Sequence, residues 1–242
     1  EEGVTLRSVI LKKPDPNNED KKLVKLEFEH MRPAEAAITE LAPGSSFYVE
    51  GRKLTVDQVS IEQDDYEEWH FCRSCSHLEP VSAQSESYTA CPRCGCSGWQ
   101  DISLKQKMLK MRQVFVTAWD KNSRTLDQKE DRDLATFNKQ TSIGYQKDAI
   151  RKSYMLRAEG ATFAFDFIDL ITLRETNFGE ERRDADSLQI GGKTLHGVGF
   201  RVCQSCGKIQ SKRTKDQQKH DISCRYYGKD VDSDEFENTF LL

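Results

Sequence analysis

Between residues 4 and 29 apolar positions alternate with charged ones through LRSVILKKP and KKLVKLEFEH, on either side of the turn-like PDPNNED. Strict alternation sends one set of side chains to one face of a strand, so two paired strands are expected here. MRPAEAAITEL changes the period: Pro33 at a first helical position, followed by Ala, Ile and Leu, predicts a short helix closed by Ala42-Pro43-Gly44. SSFYVEGRKLTVDQVSI alternates again about Glu50-Gly51, a hairpin signal. QVFVTAW and the aromatic ATFAFDFIDLITLRE read as strands, with the polar DKNSRTLDQKEDRD between them as a long surface loop or a partly disordered stretch over residues 120–133.

Residues 70–101 show little periodicity of any kind, as expected of loops held by a metal rather than by a core. The chain divides on this reading into four segments. Residues 1–69 are a mixed α+β segment with the Ala-Pro-Gly turn and a hairpin, and residues 70–101 hold a first cysteine group. Residues 102–200 are β-rich, and residues 201–242 hold a second cysteine group and an acidic tail.

Composition limits what the core can do. Of 242 residues only 36% are hydrophobic and 31% are charged, so the buried core is modest and extra staples are expected. Eight cysteines are the candidates. No run of about 18 apolar residues and no secretory leader pattern appears, which points away from a membrane and toward the cytoplasm. Thiols stay reduced there, so paired cysteines read as metal ligands and not as disulfides. The chain begins with Glu1 and not with Met, so a segment of something longer is expected. Charge is uneven along it: residues 57–79 carry seven acidic side chains against Arg73 alone, whereas residues 201–229 carry eight Lys or Arg against two Asp.

The cysteine spacing is the most specific signal. Cys72 and Cys75, then Cys91 and Cys94, form two pairs with two residues inside each, the spacing that lets two tight turns present four sulfurs to one tetrahedral zinc. Cys96 competes for the fourth place; Cys94 is preferred because two intervening residues let both sulfurs of its pair face one ion. Cys203 and Cys206, followed by His220 and Cys224, make a Cys3His set, with His and Cys four residues apart on one face of a short helix. Both sets are full, and four-ligand zinc sites are structural. The predicted class is therefore α+β: small β-rich units, hairpins and short helices, stapled by two structural zinc sites.

LQIGGKTLHG imitates the end of a phosphate-binding loop, but that motif needs a Gly where Ser187 stands and a helix after the Lys. A hairpin with a Gly191-Gly192 turn fits better. His77-Leu78-Glu79 with Cys91-Pro-Arg-Cys94 imitates a zinc deaminase signature, but Ala90 replaces the required Pro and Cys72 and Cys75 would lose their partners. No nucleophile, base or paired carboxylates stand out as catalytic.

With these residues in view the chain resembles the zinc-binding C-terminal region of DEAD/DEAH-box superfamily 2 helicases of the mitomycin-repair, DISARM and Druantia anti-phage type. The resemblance rests on MRPAEAAITELAPGSSFYVEGRKLTVDQV, on HFCRSCSHLEP with ACPRCG, and on GVGFRVCQSCGKIQ with KHDISC. It implies two zinc ions, held at the eight ligands named above, in a module downstream of two RecA-like lobes that hydrolyse ATP and translocate on DNA and that lie outside this chain. DNA, the helicase lobes and other defence proteins are the implied partners. Nucleic-acid contact is expected at Lys208, Lys212, Arg213, Lys215 and Lys219 with Arg225, Tyr226 and Tyr227, where cations would neutralise phosphates and rings would stack on bases. LKQKMLKMR, residues 104–112, is a second basic stretch. The alternative is a stand-alone zinc-knuckle subunit that binds a partner protein without touching DNA.

Overall fold

The computed structural model describes residues 3–12, 24–62, 65–83, 89–124, 136–145, 147–180, 187–196, 199–210, 220–228 and 236–241. In chain order these form β1 (Gly3–Lys12), β2 (Val24–Pro33), helix α1 (Ala34–Glu40), β3 (Ser46–Val49), β4 (Arg52–Thr55), β5 (Gln58–Val59), β6 (Tyr66–Phe71) and β7 (Leu78–Pro80). There follow β8 (Lys105–Leu109), β9 (Gln113–Trp119), the single turn α2 (Asp120–Ser123), β10 (Phe137–Gly144), β11 (Ile150–Ala158), β12 (Ala161–Ile168) and β13 (Thr172–Glu180). The last elements are β14 (Ser187–Ile190), β15 (Lys193–His196), β16 (Phe200–Cys203), β17 (Ile209–Gln210) and β18 (Phe236–Leu241).

A four-stranded sheet has the order β2-β1-β9-β5, with β1 and β9 parallel and the other pairs antiparallel. The alternation in the sequence explains its inner face: Val4, Leu6, Ser8 and Ile10 of β1 and Val114 and Val116 of β9 are buried, and the residues between them are not. A larger sheet has the order β10-β13-β18-β8-β6-β7, with β16 and β17 attached through β18. One apolar cluster draws on β1, α1, β4, β9, β16 and Leu241, so it joins the start of the chain to its end. α1 is fixed where Asn177 Nδ2 on β13 donates to Ile38 O at 2.6 Å. The hairpins expected about Glu50-Gly51 and Gly191-Gly192 are β3–β4 and β14–β15. The architecture is β-rich with two short helices among the described residues, as the sequence pattern implies.

Three details differ from the sequence reading. ATFAFDFIDLITLRE is two strands, β12 and β13, separated at residues 169–171. Residues 236–241, read as acidic tail, form β18 between β13 and β8, where Leu241 is fully buried. The polar loop at residues 120–133 opens with α2, and residues 125–133 lie outside the described residues.

Candidate metal centres

Cys72 follows the last residue of β6 and Cys75 precedes β7, so the turn of one hairpin presents the first pair of sulfurs. Its closure is a hydrogen bond from Cys72 N–H to His77 O at 2.9 Å. Cys91 and Cys94 occupy a second turn, where Cys91 N–H donates to Cys96 O at 2.9 Å and Gly95 N–H to Cys91 O at 2.8 Å. The four ligand atoms lie within 4.8 Å of one another. The Cys72–Cys94 and Cys75–Cys91 Sγ separations are 3.6 and 3.8 Å. A tetrahedron with Zn–S bonds of about 2.3 Å has sulfur–sulfur edges of about 3.8 Å, whereas a disulfide needs about 2.05 Å. All eight cysteines are free thiols. Cys96 falls outside the set: its Sγ accepts from Ser74 Oγ at 3.0 Å and donates to Ser97 O at 3.3 Å.

Backbone amides prepare these sulfurs for negative charge. Ser74 N–H and Cys75 N–H both donate to Cys72 Sγ at 3.4 Å. The Cys96 N–H beside Cys94 draws its thiol down to about 7, while burial pushes Cys91 up to about 11 and Cys75 further still. Four thiols held this close do not ionise together in the absence of a cation, and a divalent ion displaces their protons on binding.

Trp99 roofs the centre, buried with Cys72 and Cys91, with the His70 ring stacked on it at 4.8 Å. His70 is itself buried, with Nε2 3.3 Å from Asp101 O, and His77 Nε2 lies 2.8 Å from Glu79 Oε1. Neither histidine is in the ligand set. The phosphate-loop imitation also resolves here. Ile190 and Leu195 bury the β14–β15 hairpin against Trp69 and Phe71 of β6. Its Gly191 and Gly192 amides then donate to Cys72 O and Arg73 O at 2.9 and 2.8 Å. Both glycines have left-handed φ, +63° and +76°, as a two-residue hairpin turn requires. The Gly-Gly turn clamps the first cysteine turn, and its amides point at peptide carbonyls.

The second centre repeats the turn. Cys203 ends β16 and Cys206 precedes β17; Cys203 N–H donates to Lys208 O at 2.9 Å and Gly207 N–H to Cys203 O at 2.8 Å. His220 and Cys224 complete a set whose ligand atoms again lie within 4.8 Å. Cys203 and Cys224 Sγ are 3.9 Å apart, and His220 Nδ1 is 3.5 Å from the sulfurs of both Cys206 and Cys224. Zinc bonds of about 2.3 Å to sulfur and about 2.05 Å to nitrogen predict a sulfur–nitrogen edge of about 3.6 Å. The Cys206 hydrogen bond draws the Cys203 thiol down, and that same bond together with burial pushes Cys206 up to about 12.

This turn is joined to the four-stranded sheet. Val59 N–H donates to Gly207 O at 2.9 Å, Ile209 N–H to Asp57 O at 3.1 Å, and Gln58 Nε2 to Cys206 O and Asp221 Oδ2 at 2.6 and 2.7 Å. Lys208, expected to meet phosphate, is instead buried with its Nζ 3.4 Å from Asp57 Oδ2. Burial pushes the Asp57 carboxyl up to about 6 against the pull of that ammonium. A cation held in this pair faces protein and not solvent, which corrects its assignment as a nucleic-acid contact.

Of the other expected nucleic-acid residues, Arg225 is exposed with its guanidinium 4.5 Å over the Tyr226 ring, and Tyr227 is exposed. Lys212, Arg213, Lys215 and Lys219 lie outside the described residues. In the second basic stretch Arg112 is tied to the buried Asp65 at 2.8 Å. No described helix is long and apolar enough to cross a membrane. Sequence reasoning missed Trp99, Gln58, Asp57 and the clamp at Gly191-Gly192; only the paired glycines carried a local signal, and their target is more than a hundred residues away. Set against protein-family models, curated proteins and solved structures, the chain matches none of them.

Proposed function

We propose that this chain is a zinc-stabilised accessory region of an ATP-dependent DNA helicase in bacterial anti-phage defence or DNA repair, which guides DNA or docks partners and performs no chemistry itself. The observation that carries the reading is the pair of four-ligand sets at tetrahedral zinc spacing, each closed by protein ligands with no position left for water or substrate. Zinc would be held by Cys72, Cys75, Cys91 and Cys94, and by Cys203, Cys206, His220 and Cys224, and would supply folding energy. Eight free thiols suit the reducing cytoplasm. The helicase assignment and the ATP it would consume rest on the resemblance of the cysteine groups and the Ala-Pro-Gly segment. Arg225, Tyr226 and Tyr227, with the lysines of residues 212–219, would contact DNA. Replacing Lys212, Arg213 and Lys215 together with Ala tests this: DNA affinity and its salt slope both fall if the reading holds, and unchanged binding removes it.

A second reading, a stand-alone interaction subunit of a defence complex without its own DNA contact, draws support from Lys208. Of Lys208, Lys212, Arg213, Lys215 and Lys219, the described residue, Lys208, is enclosed with Asp57 and unavailable to phosphate. Failure of the parent protein to bind DNA at low salt, with both zinc ions in place, favours this reading.

A further inference from the structure

β11 and β12 pair only with each other among the described strands, so both outer edges of this ribbon are open. Its register sets Tyr154 opposite Phe165, Leu156 opposite Phe163 and Lys152 opposite Phe167. Alternation places these six side chains on one face and Ser153, Met155, Arg157, Ala164 and Asp166 on the other. The rings pack along the first face, Tyr154 on Phe165 at 5.3 Å and Phe165 against Phe167 at 5.8 Å. Yet Tyr154, Leu156, Phe163, Phe165 and Phe167 keep 43–59% of their surface in water. A two-stranded ribbon is marginal in water by itself, and contiguous apolar patches of several hundred Å² mark interaction surfaces.

We propose that this aromatic face is the interface of a two-fold dimer, covered by the same face of a second copy of this chain. The area fits. With about 150–250 Å² for a large aromatic side chain, the five exposed residues present about 500 Å², and two such faces remove about 1,000 Å² from water. Ile143, Tyr145, Leu170, Ile171 and Leu173 flank the ribbon in sequence and are 41–74% exposed. The ribbon faces alone come close to the lower end of the roughly 1,200–2,000 Å² of a stable specific interface. A two-fold interface needs a self-complementary patch, and this one qualifies: it is apolar except for the Tyr154 hydroxyl and for Lys152 at one end. In a two-fold arrangement centred on Tyr154 and Phe165, that lysine falls opposite an apolar residue and not opposite its own copy. Four strands in two layers would enclose the rings as a small sandwich core. Single-stranded nucleic acid is the poorer occupant, because a strand-tracking surface needs a row of cations and this face has one. The inference goes beyond the proposed function and stands independently of it.

Sedimentation equilibrium of the zinc-loaded 242-residue protein tests it. The expected result is a mass of twice 27.8 kDa at micromolar concentration. Phe165→Asp weakens association at least a hundredfold with zinc content and far-UV circular dichroism unchanged, and Met155→Asp on the reverse face leaves the dimer intact. Should Phe165→Asp lose its zinc, Leu156→Lys takes its place as the interface variant. A single 27.8 kDa species at about 100 µM overturns the proposal, as does equal loss of the dimer in Met155→Asp or a dimer indifferent to both interface variants. A monomer that binds an oligothymidine strand and loses it in Phe165→Asp overturns it in favour of nucleic acid.

Discussion

Around Cys91 and around Cys203 the backbone makes the same turn: the cysteine N–H reaches the carbonyl five residues on, and the glycine four residues on returns a hydrogen bond to the cysteine carbonyl. What surrounds the two turns differs. Gly95 has open space where a Cβ would sit, whereas a Cβ on Gly207 would overlap the Val59 carbonyl. Cys94 is exposed at the outer end of the larger sheet, while Cys203 is fully buried and its turn is bonded to β5 of the other sheet. The same local chemistry therefore serves as a local clasp in one centre and as a joint between two sheets in the other. Ligand spacing reports the clasp and is silent about the joint.

The largest expected effect separates the two centres directly. Cys203→Ser should lose one zinc ion and lower the global melting temperature by more than about 10 °C, because the metal's binding free energy is folding free energy at the joint. Cys94→Ser should lose the other ion with less than half that shift. Calorimetry with metal analysis checks both, and equal shifts would erase the distinction.

Glycine substitutions sharpen it. Gly207→Ala combines a left-handed φ of +71° with a backbone overlap and should cost about 4 kcal/mol or more in denaturant unfolding. Gly95→Ala has the same φ problem in open space and should cost only about 1 kcal/mol. A small effect at Gly207 would mean that the joint to Val59 yields.

Asp57→Asn should cost about 3 kcal/mol at pH 7, since it leaves the Lys208 ammonium buried without its counter-charge. Restoration by a second change, Lys208→Met, would confirm that the loss is electrostatic. No restoration would point to the Asp57 backbone contacts instead. A smaller effect than at Asp57 belongs to the clamp on the first centre: Gly192→Ala, with φ +76° and Ser74 O 3.3 Å from the added Cβ, should cost about 1–2 kcal/mol. Hydrogen exchange should quicken around Arg73 and stay unchanged around Cys203. Quickening at both would show that the centres are coupled.

The ligand sets were legible in the sequence because a two-residue gap between cysteines fixes local geometry whatever the rest of the chain does. The hairpins about Glu50-Gly51 and Gly191-Gly192 were legible for the same reason. What escaped was long-range. Lys208 looks like one of many surface lysines until β5, about 150 residues away, brings Asp57 against it. Phe236–Leu241 sits in an acidic context, and its place as an inner strand depends on β8 and β13, which no local pattern announces. The break between β12 and β13 was hidden because apolar residues continue through it, at Leu170 and Ile171.

Native mass spectrometry during stepwise chelation tests the central claim most directly. The account predicts two zinc ions per chain, the first leaving from a species that keeps its compact charge-state distribution and the second leaving as the chain unfolds. Fewer than two ions at the start, or both lost with unfolding in a single step, would contradict it.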